Sequence, residues 1–106
     1  GPSDPVRRIN FQSNGELDYQ WFEHNVAWPQ DKTIMEIDIF AIKQMLEKKG
    51  QIASAVVSRK FPDELHIEII ERKPVLRARV QSEKGEKKEV YVARDGTVYF
   101  HENCWA

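Results

Sequence analysis

Cysteine is almost missing from this chain. Cys104 is the only one in 106 residues, so neither an internal disulfide nor a cysteine-rich zinc site can form. That leaves the redox compartment open. Long apolar runs are also missing: none approaches the roughly 20 residues that a membrane span requires. No charge sign dominates either. Sixteen basic and 17 acidic residues give a net charge of −1, too little for bulk attraction to a phosphate backbone or an anionic membrane. There is no glycine-rich phosphate loop, and His24, His66 and His101 stand apart from one another at no metal-ligand spacing. No signal peptide is present. Gly1-Pro2-Ser3 reads as a protease scar of recombinant expression, so any membrane anchor of the parent protein is expected outside this chain.

What is present suits a globular protein. Apolar residues make up 41% and charged residues 31%, enough for one domain of ordinary size or a small domain plus part of another. Val6, Ile9 and Phe11 mark a first short strand, closed by the turn formers Ser13-Asn14-Gly15. Asp18 is placed to cap a short helix carrying Leu17, Trp21, Phe22 and Val26 and ending near Pro29. Asp38 caps a second, in which Ile39, Ile42, Met45 and Leu46 recur at helical spacing. Lys48-Lys49 fall in its last turn, and Gly50 follows as its terminator. Ile52 to Lys60 and Glu64 to Arg72 read as two antiparallel strands. Between them, Pro62 and Asp63 occupy the central positions of a turn. Leu65, Ile67 and Ile69 alternate with His66, Glu68 and Ile70, the pattern of a half-buried strand. Beyond Pro74, Leu76, Ala78 and Val80 alternate with Arg77 and Arg79. Glu89 to Ala93 and Thr97 to Phe100 then flank Arg94-Asp95-Gly96, and Asp-Gly is a strong hairpin signal.

The block from Arg59 through Pro62, Leu65, Ile67 and Ile69 to Glu71-Arg72-Lys73-Pro74 resembles the end of the POTRA domain of FtsQ/DivIB bacterial cell-division proteins. Arg59, Pro62, Leu65, Glu71, Arg72 and Pro74 carry that motif. Ile37-Asp38-Ile39 with Ile42 and Leu46 is similar to the family's second helix, and Ile52, Ala55, Val57 and Arg59 to its second strand. Val90 to Phe100 resembles the hairpin that opens the family's β domain.

The resemblance implies an α+β fold: a β-α-α-β-β POTRA domain, with two helices on one face of a three-stranded mixed sheet, followed by the first antiparallel strands of a truncated β domain. The corresponding boundaries are 1–3 for the scar, 4–75 for the POTRA domain and 76–106 for the β strands. It further implies a non-catalytic extracytoplasmic scaffold of the divisome, anchored by a single pass in the cytoplasmic membrane and enriched at the septum. Its partners would be FtsB, FtsL and further division proteins, with no cofactor, nucleic acid or small-molecule substrate. The alternative within the fold is a POTRA domain of an outer-membrane assembly or secretion component, which binds β-strand clients.

Chemistry offers little against this reading. Cys104 with His101 could pair as nucleophile and base, but a triad is defined by geometry rather than proximity in sequence. Asp63, Glu64 and Glu68 surround a hairpin and read as solvated side chains rather than an acid/base pair. Arg72, Lys73, Arg77 and Arg79 lie close together, yet the strands lack the interleaved aromatics of an RNA-binding sheet and no Gly-x-x-Gly clamp is present. They read as decoration on exposed strand faces.

If the third strand is central, as POTRA topology implies, the second is a free edge open to an incoming peptide strand. It would show Ser54, Val56, Ser58 and Lys60 on one face, and Ala55, Val57 and Arg59 on the other. Equally, Arg59 and Lys60 could guard that edge, as charged residues do elsewhere. Tyr19, Trp21, Trp28 and Trp105 are read as core.

Overall fold

A computed structural model describes residues 3–102. Its elements run β1 (Arg8–Ser13), α1 (Tyr19–Asn25), α2 (Ile39–Glu47), β2 (Ile52–Lys60), β3 (Glu64–Glu71), β4 (Pro74–Gln81), β5 (Lys87–Ala93) and β6 (Val98–Phe100). The strands form two three-stranded sheets, ordered β1-β3-β2 and β4-β5-β6. The fold is therefore α+β. Among the described residues, no helix is long and apolar enough to cross a membrane.

In the first sheet β3 is central, parallel to β1 and antiparallel to β2. Alternation along β3 sends Leu65, Ile67 and Ile69 to one face, where all three are buried. Ala55 and Val57 of β2 join them, with Trp21 and Phe22 of α1, Ile42 and Leu46 of α2, and Ile34 and Ile37 from the loop between the helices. Both helices thus lie on one side of the sheet. Phe11 of β1 packs against Trp21 and Phe22, with ring centroids 6.2 and 5.5 Å apart. Trp28 is partly buried against the same core, whereas Tyr19 is 42% exposed and is not a core residue. Trp105 and Cys104 lie outside the described residues.

Both helix starts follow the sequence. The Asp18 carboxylate accepts from Trp21 N–H at 2.9 Å and that of Asp38 from Ala41 N–H at 3.1 Å, satisfying donors that the first turn leaves open. Helix α1 stops at Asn25, earlier than Pro29, because Val26 is already extended. The β2–β3 connection also differs from a two-residue turn. Lys60 pairs with Glu64, leaving a three-residue loop of Phe61, Pro62 and Asp63 whose Phe61–Pro62 peptide is cis. In the second sheet, Gly96 has φ +87, which the Asp95-Gly96 hairpin requires.

Candidate partner interface

Strand β2 has β3 on one side only, so its other side is an edge. The side chains divide as the alternation requires. Ser54, Val56, Ser58 and Lys60 are exposed, with Val56 62% accessible, while Ala55 and Val57 enter the core. Opposite them on the open face stand Ile70, Glu68, His66 and Glu64 of β3. His66 and Glu68 pair there at 3.1 Å.

The edge is braced over part of its length. Lys43 and Glu47, one turn apart on α2, pair with each other and reach the strand together. Lys43 Nζ donates to the Ala55 carbonyl at 2.7 Å, and Ala55 N–H donates to Glu47 Oε2 at 2.9 Å. The hydrogen bond from Lys43, then that from Ala55, holds the Glu47 carboxyl below its usual range. An incoming strand cannot pair with Ala55 while this brace stands.

Because Ala55 turns its N–H and C=O away from β3, Val57 and Arg59 do the same, two and four residues on. Among the described residues no other group takes those four polar atoms. Arg59 does not guard them with its side chain. Its guanidinium is turned under the sheet, donating to the Ile34 carbonyl at 2.9 Å and to that of Ile37 at 2.7 Å. The motif arginine thus ties the interhelix loop to the strand, and of the two residues expected to guard the edge only Lys60 stays exposed beside it. Met35 and Phe40, flanking this tie in sequence, are 48% and 71% exposed.

The remaining motif residues sit elsewhere. Leu65 is core, and Pro62 lies in the hairpin loop. Glu71 closes the end of β3, and Arg72 beside it joins the two sheets. The buried Glu71 carboxylate accepts from Ser13 Oγ, from Leu17 N–H at 2.8 Å and from Gln51 Nε2 at 3.0 Å. Burial raises its pKa, but these donors outweigh burial and hold it below the usual carboxylate value. Arg72 donates to the carbonyls of Gly50 (2.9 Å) and Ile52 (3.0 Å), and also to Asp95 of the second sheet (3.2 Å). Thr97, then Arg72, brings Asp95 down to about 2. Pro74 opens β4. His101 pairs with Glu16 at 2.6 Å, and Cys104 lies outside the described residues.

Sequence reasoning missed Gln51. It is buried, gives Nε2–H to Glu71, and accepts Glu102 N–H at 2.8 Å through Oε1. A single polar residue between a helix and a strand has no periodic signature, and its partners lie 20 and 51 residues away.

The β-α-α-β-β order, with helices on one sheet face and a partly free outer strand, is the architecture of the POTRA domains. Residues 5–72 match the family described as "POTRA domain, FtsQ-type", and the chain belongs to that family. It is also 26% identical over 94 residues to the cell division protein FtsQ of Methylomonas methanica (strain DSM 25384 / MC09), an alignment covering 88% of this chain and 38% of that protein. The chain spans well under half the length of this relative.

Proposed function

We propose that this chain is the partner-binding region of a non-catalytic division scaffold outside the cytoplasmic membrane. In this reading residues 4–75 form its POTRA domain, and residues 76–106 the opening strands of a β domain. A membrane anchor would lie in a segment of the parent protein beyond this chain. The parent would recruit other division proteins to the septum, FtsB and FtsL among them by family resemblance.

The observation that carries the proposal is the unpaired backbone of Val57 and Arg59 on the outer side of β2. A partner segment would add there as a strand, over a face offering Ser54, Val56, Ser58 and Lys60. The brace at Ala55 confines the docking to the end of β2 near the Phe61 loop.

The test is fluorescence imaging of the full-length parent in dividing cells, wild type against Val56→Asp/Ser58→Asp. The expected result is a ring at the constriction site for both proteins, with later division proteins recruited only by the wild type. A uniform envelope signal from the wild-type protein would remove the division role. Normal recruitment by the variant would remove the β2 site.

A further inference from the structure

Among the described residues, strand β4 is a second free edge with a different character. It lies at the outside of its sheet, and all eight of its residues are exposed. Its register with β5 sorts the side chains. Leu76, Ala78 and Val80 share one face with Val90, Val92, Val98 and Phe100, while Arg77 and Arg79 share the other with Tyr91 and Glu89. Much of the first face is apolar and open: Leu76, Val80, Val98 and Phe100 are each between 46% and 63% exposed, while Val90 is buried and Lys88, opposite Val80, lies over the Phe100 ring at 5.3 Å. On the second, Arg77 lies 5.4 Å from the Tyr91 ring centroid. Among the described residues no carboxylate comes within ion-pair distance of Arg77 or Arg79.

Charge is partitioned along the chain in the same sense. Residues 72–95 carry eight basic and four acidic side chains, whereas residues 1–71 carry eight basic and twelve acidic ones. The near-zero net charge conceals a cationic sheet joined to an anionic domain.

We propose that the outer edge of β4 takes an extended acidic segment of another protein as a fourth strand. That segment has Asp or Glu at alternate positions, facing Arg77 and Arg79, and apolar residues between them that cover Leu76, Ala78 and Val80. Main-chain pairing along β4 supplies the attraction, and the side chains select the sequence. A second copy of this chain is a poor occupant. Two β4 strands related by a twofold axis pair antiparallel, so centring them on Arg77 or Ala78 sets Arg77 opposite Arg77 or Arg79 of the other copy. Like charges placed directly across a pair oppose it. The proposal concerns a different strand from the β2 edge and stands without it.

The chain itself can be titrated against labelled peptides of about nine residues, long enough to span β4, that alternate valine or threonine with glutamate. The same peptide with lysine in place of glutamate serves as the control. The glutamate peptide is expected to bind at least about tenfold more tightly, as two opposite-charge cross-strand pairs would give, and more weakly as salt rises. Hydrogen exchange should slow at β4 amides. Arg77→Glu/Arg79→Glu should invert the preference, and Arg79→Glu, which leaves the Arg77–Tyr91 stack in place, should reduce it without disturbing the fold. Equal binding of the two peptides, no binding of either, self-association through β4, or protection confined to β2 or β6 would each overturn the proposal.

Discussion

Tyr99 of β6 packs directly on Gly50. A β-carbon added at residue 50 would overlap Tyr99 Cβ, so the second sheet comes as close to the end of α2 as a glycine permits. Gly50→Ala must therefore push β6 away or strain the backbone, at a cost of about 1–3 kcal/mol. The double variant Gly50→Ala/Tyr99→Ala should recover part of that loss. Thermal melts of the four proteins in the cycle measure the coupling, and strict additivity of the two substitutions would contradict the contact.

Glu71 should make stability depend on pH in a definite direction. Its folded pKa lies below the ordinary value of 4.5, because the donors from Ser13, Leu17 and Gln51 outweigh the effect of burial. A carboxyl with a depressed folded pKa contributes stability that is present above its unfolded pKa and lost as pH falls through the folded one. Glu71→Gln puts an amide donor among groups that already donate and is expected to cost about 2–3 kcal/mol at neutral pH. The gap between variant and wild type should narrow in acid. A gap that stays constant down to strongly acidic pH would contradict this account.

Removing one arm of the α2 brace should free Ala55. In Glu47→Ala the Ala55 N–H loses its acceptor, and its hydrogen exchange, followed by NMR, should speed up while Val56, which faces β3, keeps its protection. An unchanged rate at Ala55 would mean that the carboxylate does not cover the edge in solution.

Backbone direction, rather than side-chain exposure, should govern substitutions at Val56. Its side chain is 62% exposed, so Val56→Thr should change stability by less than about 0.5 kcal/mol. Its N–H points to β3, opposite Glu68, so Val56→Pro removes a ladder hydrogen bond and is expected to cost about 2–4 kcal/mol. Chemical denaturation of the two variants checks both figures. A proline variant as stable as the threonine variant would reverse the inferred direction of β2.

Much of this architecture is legible in the sequence because its causes are local. The strand bounds Ile52–Lys60 follow from alternation, the helix starts from Asp18 and Asp38, and the last hairpin from Asp95-Gly96. Where several causes produce the same residue, the sequence misleads. Gly50 looks like a helix terminator, yet it has no positive φ and is small because Tyr99 lies against it. Arg59 looks like a guard of the edge, but its parity with Ala55 and Val57 already placed it on the helix side, where two loop carbonyls receive it. The Lys43–Glu47 brace was invisible for another reason: an i, i+4 ion pair on a helix is commonplace, and only the position of β2 gives it a target.

The junction between the sheets also has a mechanical meaning. Only Arg72 and Lys73 separate β3 from β4, but the main chain through them is not the only route by which a pull can pass. Arg72 holds carbonyls at the start of β2 together with Asp95. Gln51 links Glu71 to Glu102, and Trp21 donates to the same Glu102 at 3.2 Å. Tension applied beyond β6 is thereby shared among β2, β3 and α1 instead of falling on one peptide link. A load on the second sheet would have to break these contacts together, as a shear, before the two parts could pivot.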